Sequence, residues 1–124
     1  MLEIIIKKKL EEIVSPLIGA KKVKPLFVTF VPGVTYDIKL ITEGPVKQSQ
    51  VEIKIIHEDF DKALEIRQKI IENLHFDIKK PSQCIDNIVF RGELSGGGTL
   101  FQEEVQAWEI SIIFIMTWRW KNEQ

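Results

Sequence analysis

The hydrophobic period of this chain changes from two to about three and a half at His57. Upstream, Val51, Ile53 and Ile55 alternate with Glu52 and Lys54, the pattern of a strand with one buried and one wet face. Downstream, Phe60, Ala63, Leu64, Ile70, Ile71 and Leu74 recur at one-turn spacing and predict a helix from Asp59 to His75. Glu58, Asp59 and Asp61 stand where a helix N-terminus favours anions, and Asp59 is the expected cap. Glu65 and Lys69 are spaced for an ion pair one turn apart, and the His75 side chain is expected to cap the far end. A strand that runs directly into an amphipathic helix must bury both apolar surfaces together. The chain is thereby committed to a sheet with a helix laid on it.

The flanking segments extend this plan. Leu2, Ile5, Ile6, Leu10, Ile13, Val14 and Leu17 share one helical face, with Lys7 and Lys8 within reach of Glu11 and Glu12 on the polar side. Ser15-Pro16 and Gly19 are expected to end this first helix. Leu26–Val31 and Val34–Thr42 read as strands split by Pro32-Gly33, and Val34, Tyr36, Ile38 and Leu40 form the inward set of the second. Glu43-Gly44-Pro45 marks a turn, which predicts an antiparallel hairpin with the Val51–Ile55 strand. Lys79-Lys80-Pro81-Ser82 is a connector, Ile85–Leu94 a strand, and Ser95-Gly96-Gly97-Gly98-Thr99 a mobile hairpin loop. The last strand carries Trp108, Ile110, Ile112, Phe114, Met116, Trp118 and Trp120 on one face. Ile113 and Ile115 lie on the other, which predicts a central strand covered on both sides. The expected fold class is α+β: a single mixed, mostly antiparallel β-sheet with two packed helices, in the order α-β-β-β-α-β-β, forming a single domain over 1–124.

Charge and composition narrow the functions. With 44% hydrophobic residues in 124, a true core is within reach. Seventeen basic against eighteen acidic residues give a net charge of −1, which lacks the basic excess of a phosphate-neutralising surface. Lys7, Lys8, Lys9, Lys21, Lys22 and Lys24 therefore read as solvated surface. No specific nucleic acid is expected as a partner. The lone Cys84 excludes an internal disulfide and is expected to be buried or half-buried. No leader and no membrane-spanning stretch are expected, since no apolar run approaches ~20 residues.

Chemistry-bearing residues do not converge in the sequence. His57, His75, Cys84, Asp77 and Asp86 match no zinc or catalytic spacing, so no metal site, no cofactor site and no catalytic residues are expected, and the chain is not expected to be an enzyme. The glycine run at 96–98 is followed by Thr99-Leu100-Phe101 and then Gln102-Glu103-Glu104. It lacks both the helix start and the cation of a phosphate loop. Its use is expected to be different: it presents Leu100 and Phe101 for burial against a partner. Trp118 and Trp120, beside Arg119 at the end of a strand, have the composition of a protein interface as well as of a core. The expected subunit or partner interface is Gly96, Gly97, Gly98, Leu100, Phe101, Trp118 and Trp120.

Taken together, the amphipathic helix Leu2–Leu17, the strand-into-helix segment from Val51 to Ile71, and the loop Gly96–Glu104 leading to a long apolar strand ending in Thr117-Trp118-Arg119 make a pattern. It resembles the bacteriophage tail terminator or minor capsid (tail completion) proteins. In that family an acidic residue and an alanine open the helix after the strand, matched here by Asp61 and Ala63, and the final strand follows a loop of glycines. His57-Glu58 stands where many relatives carry an arginine. The resemblance implies a virion structural protein, a homo-oligomer whose possibly hexameric ring closes on the tail tube and docks to the head connector. Its partners would be itself, the tail tube and head-connector proteins. Its place would be the host cytoplasm during assembly and then the head–tail junction of the virion. The alternative reading is a small ligand- or peptide-binding α+β module using an open sheet face.

Overall fold

In a computed structural model, residues 2–25, 31–75 and 82–121 are described. The order is α1 (Leu2–Ile18), β1 (Val23–Pro25), β2 (Gly33–Thr42), β3 (Lys47–His57), α2 (Phe60–Leu74), β4 (Gln83–Ile85), β5 (Ile88–Gln102) and β6 (Ala107–Trp120). The fold is α+β. The six strands form one mixed sheet in the spatial order β1-β2-β3-β6-β5-β4, with β1 parallel to β2 and every other pair antiparallel. The expected strand Leu26–Val31 lies outside the described residues except for Val31. The short β4 is an additional strand between α2 and the closing pair.

The period change at His57 is the β3-to-α2 junction. Asp59 caps α2: its Oδ1 accepts the backbone N–H of Asp61 at 3.0 Å and of Lys62 at 3.2 Å, satisfying donors the first helical turn leaves free. Ala63, Ile66, Ile70 and Leu74 turn inward. Leu64, expected in the same stripe, is 39% exposed instead, because it lies at the margin of the apolar arc.

The first helix, expected over Leu2–Leu17 with Ser15-Pro16 and Gly19 at its end, runs through the proline. It continues to Ile18 with Pro16 inside its last turn. Proline removes only one donor there, the Ser15 hydroxyl bonds back to the Glu11 carbonyl, and Leu17 and Ile18 pack against the core. That packing holds the turn against the proline penalty. The end comes at Gly19, whose φ of +96° leaves the helix while its N–H closes on the Ser15 carbonyl at 2.9 Å.

Both helices lie on one face of the sheet. Leu2, Ile5, Ile6, Leu10 and Val14 from α1, with the inward set of α2, cover Val51, Ile53 and Ile55 of β3 and Ile110, Ile112, Phe114 and Met116 of β6. In register these strand residues stand opposite one another, Ile53 facing Ile112 and Val51 facing Phe114. Each buried aliphatic or aromatic side chain in such a layer contributes about 1.5–3 kcal/mol. Ile113 and Ile115 on the reverse face of β6 are only half-buried. The expectation of a central strand covered on both sides is corrected: among the described residues no element packs over the second face.

Candidate assembly surface

The glycine segment departs most from expectation. Residues 95–99 are strand, not loop. β5 continues through them to Gln102, and Gly96, Gly97, Gly98 and Thr99 pair with Ile113, Ile112, Ser111 and Ile110. The turn lies further on, at Glu103–Gln106, where Gln106 has a φ of +52° and donates its N–H to the Glu103 carbonyl. Sequence reasoning treated three glycines as a break. In fact the pairing register shifts between Leu94 and Gly96, so Ser95 is an extra residue, a β-bulge that bends the strand. The Leu94 N–H at this bulge is taken up by His75, whose Nδ1 accepts it at 3.0 Å. The His75 ring therefore serves the neighbouring strand rather than the end of its own helix, which is closed by the His75 backbone N–H on the Ile71 carbonyl.

The remaining candidates fall in two places. Leu100 and Phe101 are 56% and 38% exposed on the last residues of β5. The Phe101 ring meets Trp108 edge-on at 5.0 Å, and Trp108 meets Phe60 at 4.8 Å, so Phe101 is partly committed to its own chain whereas Leu100 is not. Trp118 and Trp120 sit at the other end of β6 and pack half-buried on the core, edge-to-face with each other at 6.4 Å. The Trp118 indole N–H donates to the Ser49 hydroxyl at 3.0 Å, and Lys47 lies 5.2 Å above its ring. The fold thus separates the expected interface residues into a β5 group and a tryptophan pair.

A third group stands outside the expected interface residues, at a turn whose segment Thr42–Ser49 the sequence suggests as one that orders on docking. Leu40, Ile41 and Val46 are 52%, 50% and 51% exposed around the turn joining β2 to β3. Leu40 was expected to face the core, but β2 outruns the helices that cover it. The available signal was apolar residues on both sides of Glu43-Gly44-Pro45. Leu64 and Leu94, each 39% exposed, flank a groove of about 340 Å³ between α2 and β5, lined also by Arg67, Gly96, Gly97, Gly98 and Thr99.

The residues weighed as metal ligands are not brought together. His57 Nδ1 accepts the Asp59 backbone N–H at 3.0 Å, at the start of α2, while His75 lies at its end. Burial pushes the His57 pKa down from its ordinary value, with Lys62 adding to this and Asp59 and Glu58 opposing it. Cys84 is exposed on β4, not buried as expected, because β4 is an edge strand of only three residues. Asp77 lies outside the described residues. Asp86 pairs with Lys8 at 2.9 Å. Among the described residues no cluster of three or more His, Cys, Asp or Glu could hold a metal ion, and no helix is long and apolar enough to cross a membrane.

Comparison with known proteins yields a likeness of fold. No protein-family description matches the chain, and no curated protein matches it in sequence. Among solved structures, a chain of the virion of a native gene transfer agent particle shares the fold, with a TM-score of 0.51 at 15% identity, over 92% of this chain and 90% of that one. At that identity the likeness is one of architecture.

Proposed function

We propose that this chain is a structural protein of a phage or phage-like virion, of the tail terminator or completion type. Its subunits close into a ring, hexameric by the family resemblance, that caps the tail tube and meets the head connector. The observation that carries this reading is the shared fold with a gene transfer agent virion chain over nearly the whole length of both. The distribution of exposed apolar residues supports it independently. Leu40, Ile41 and Val46 project at one end of the sheet and Leu100 with Val105 at the other, and exposed apolar patches at separate sites suit head-to-tail contacts. The work such a protein does is association, with apolar turns covered by neighbouring subunits; no reaction is required of it.

A specific observation favours a second reading, a binding module. An open groove of about 570 Å³ runs along the outer side of α1, lined by Ile4, Lys7, Glu11 and Tyr36 among others. Ile4 is 55% exposed there, and the volume falls within the range of small-molecule sites. Light scattering behind a sizing column, over a concentration series, separates the two. The ring reading expects a species of several subunits that grows in with concentration. A chain that stays monomeric up to millimolar concentration overturns it and leaves the binding module.

A further inference from the structure

We propose that the groove between α2 and the glycine segment of β5 receives the β2–β3 turn of a second copy of this chain. The proposal rests on the ring reading above and assigns its contact.

The groove has an apolar rim, a bare floor and one charge. Leu64 and Leu94 form the rim, each exposed by more than a third. The floor is backbone, because Gly96, Gly97 and Gly98 bring no side chains to it. Arg67 supplies the charge; it is half-buried and has no carboxylate within ion-pair distance among the described residues. A guanidinium beside exposed leucines is a site for an acidic group carried on an apolar support.

The β2–β3 turn has the complementary composition. Leu40, Ile41 and Val46 are each about half exposed, and Glu43 sits among them, also without an ion-pair partner among the described residues. The turn is narrow, and Gly44 at a φ of +134° gives it a shape that side-chain-bearing residues adopt poorly. A narrow apolar tip with one carboxylate fits a glycine-floored groove with one guanidinium.

One molecule cannot make this contact with itself. β3 and β5 are separated by β6. The turn also lies beyond the level of Phe90, since Lys47 faces Trp118 and Trp118 faces Phe90. The groove at Gly97 is therefore about 20 Å further along the strands. Tip and groove are different surfaces, so each copy offers one of each. In a ring the contact is heterologous and continues from copy to copy until it closes.

The test uses the full chain and sedimentation velocity over a concentration series. Glu43→Arg and Arg67→Glu, made singly, are expected to weaken self-association about tenfold or more, as truncation of a central charged anchor does. Melting temperatures should stay at the parent value. The double variant Glu43→Arg with Arg67→Glu should recover association to within about threefold of the parent, because the pair is restored with its signs exchanged. In a Cys84→Ser background, Ile41→Cys combined with Leu94→Cys should give, on mild oxidation, a ladder of covalent species longer than the dimer. Self-association that is unmoved by the single charge variants, or the absence of any cross-link, overturns the groove assignment and leaves the ring reading standing, whereas a cross-link that stops at the dimer overturns the ring contact in favour of a reciprocal pair. Single variants that keep self-association and lose attachment to another virion protein likewise overturn the groove assignment, giving the groove to that partner. A parent chain that never associates removes the ring reading and this contact together.

Discussion

Gly92 and Gly97 on β5 differ sharply from Gly96 and Gly98 on the same strand. A Cβ at Gly92 would overlap the Leu74 carbonyl oxygen at the end of α2, and one at Gly97 would overlap the Ser111 carbonyl of β6. A Cβ at Gly96 or Gly98 would meet open space. The first pair is glycine because the protomer's own backbone comes that close. The second pair is not required by anything in the described chain, and glycine in a strand interior carries a cost of about 0.5–1 kcal/mol. The same residue in one strand thus answers to the fold at two positions and to something outside it at two others. Leu100 and Phe101 repeat the contrast one step on: Phe101 packs on Trp108, and Leu100 points to solvent.

The sharpest way to break this comparison is Gly97→Ala. The obstructing atoms belong to backbone rather than to a flexible side chain, so the strands must move apart, and the expected loss is about 2–3 kcal/mol in urea unfolding. An unchanged midpoint would mean that β5 and β6 do not approach as described. Phe101→Ser comes next, with an expected cost of about 1 kcal/mol from its edge-on contact with Trp108. Leu100→Ser should cost less than about 0.5 kcal/mol, as an exposed substitution does; equal losses for the two would erase the distinction drawn between them. Gly98→Val is expected to change stability by less than about 1 kcal/mol, in the direction of a gain, since the unfolded chain loses freedom and the folded strand loses nothing. A large loss there would show that the open space is filled by the chain itself.

The architecture could be read from the sequence wherever the periodicity was local. The change of period at His57 located the junction of β3 with α2, and Asp59 caps that helix because a carboxylate there reaches two free N–H groups. The β2–β3 hairpin followed from Glu43-Gly44-Pro45 between two alternating runs. What depended on three-dimensional reach was not legible. Composition predicts a break at Gly96–Gly98, yet the strand is held by partners on β6 whose register depends on a bulge at Ser95. Alternation alone placed Leu40 inward, but burial also requires a helix overhead, and among the described residues none reaches that far along β2. The candidate surface was half legible for the same reason. Leu100 is as exposed as its place beside a turn implies. The groove formed by Leu64, Arg67 and Leu94 joins segments some thirty residues apart, and no local pattern announces it.

The two histidines give the finest version of the same contrast, since both accept a backbone N–H through Nδ1, at opposite ends of α2. Burial, the largest cause, holds the neutral form of His57, so its pKa in the folded protein lies below the unfolded value of about 6.5. Between those two values the unfolded chain binds more protons than the folded one, so stability rises with pH across that window. The His57 contribution is complete above about pH 6.5 and is lost as pH falls through the folded value, where protonation also removes the acceptor for the Asp59 N–H. Replacing His57 with Gln should therefore flatten the decline in melting temperature between pH 7 and pH 5 by a small amount, about 2 °C or less. Melting curves of parent and variant at matched ionic strength read this directly. A parallel decline in the two proteins would mean that the ring at the β3–α2 junction is no more buried in the folded chain than in the unfolded one.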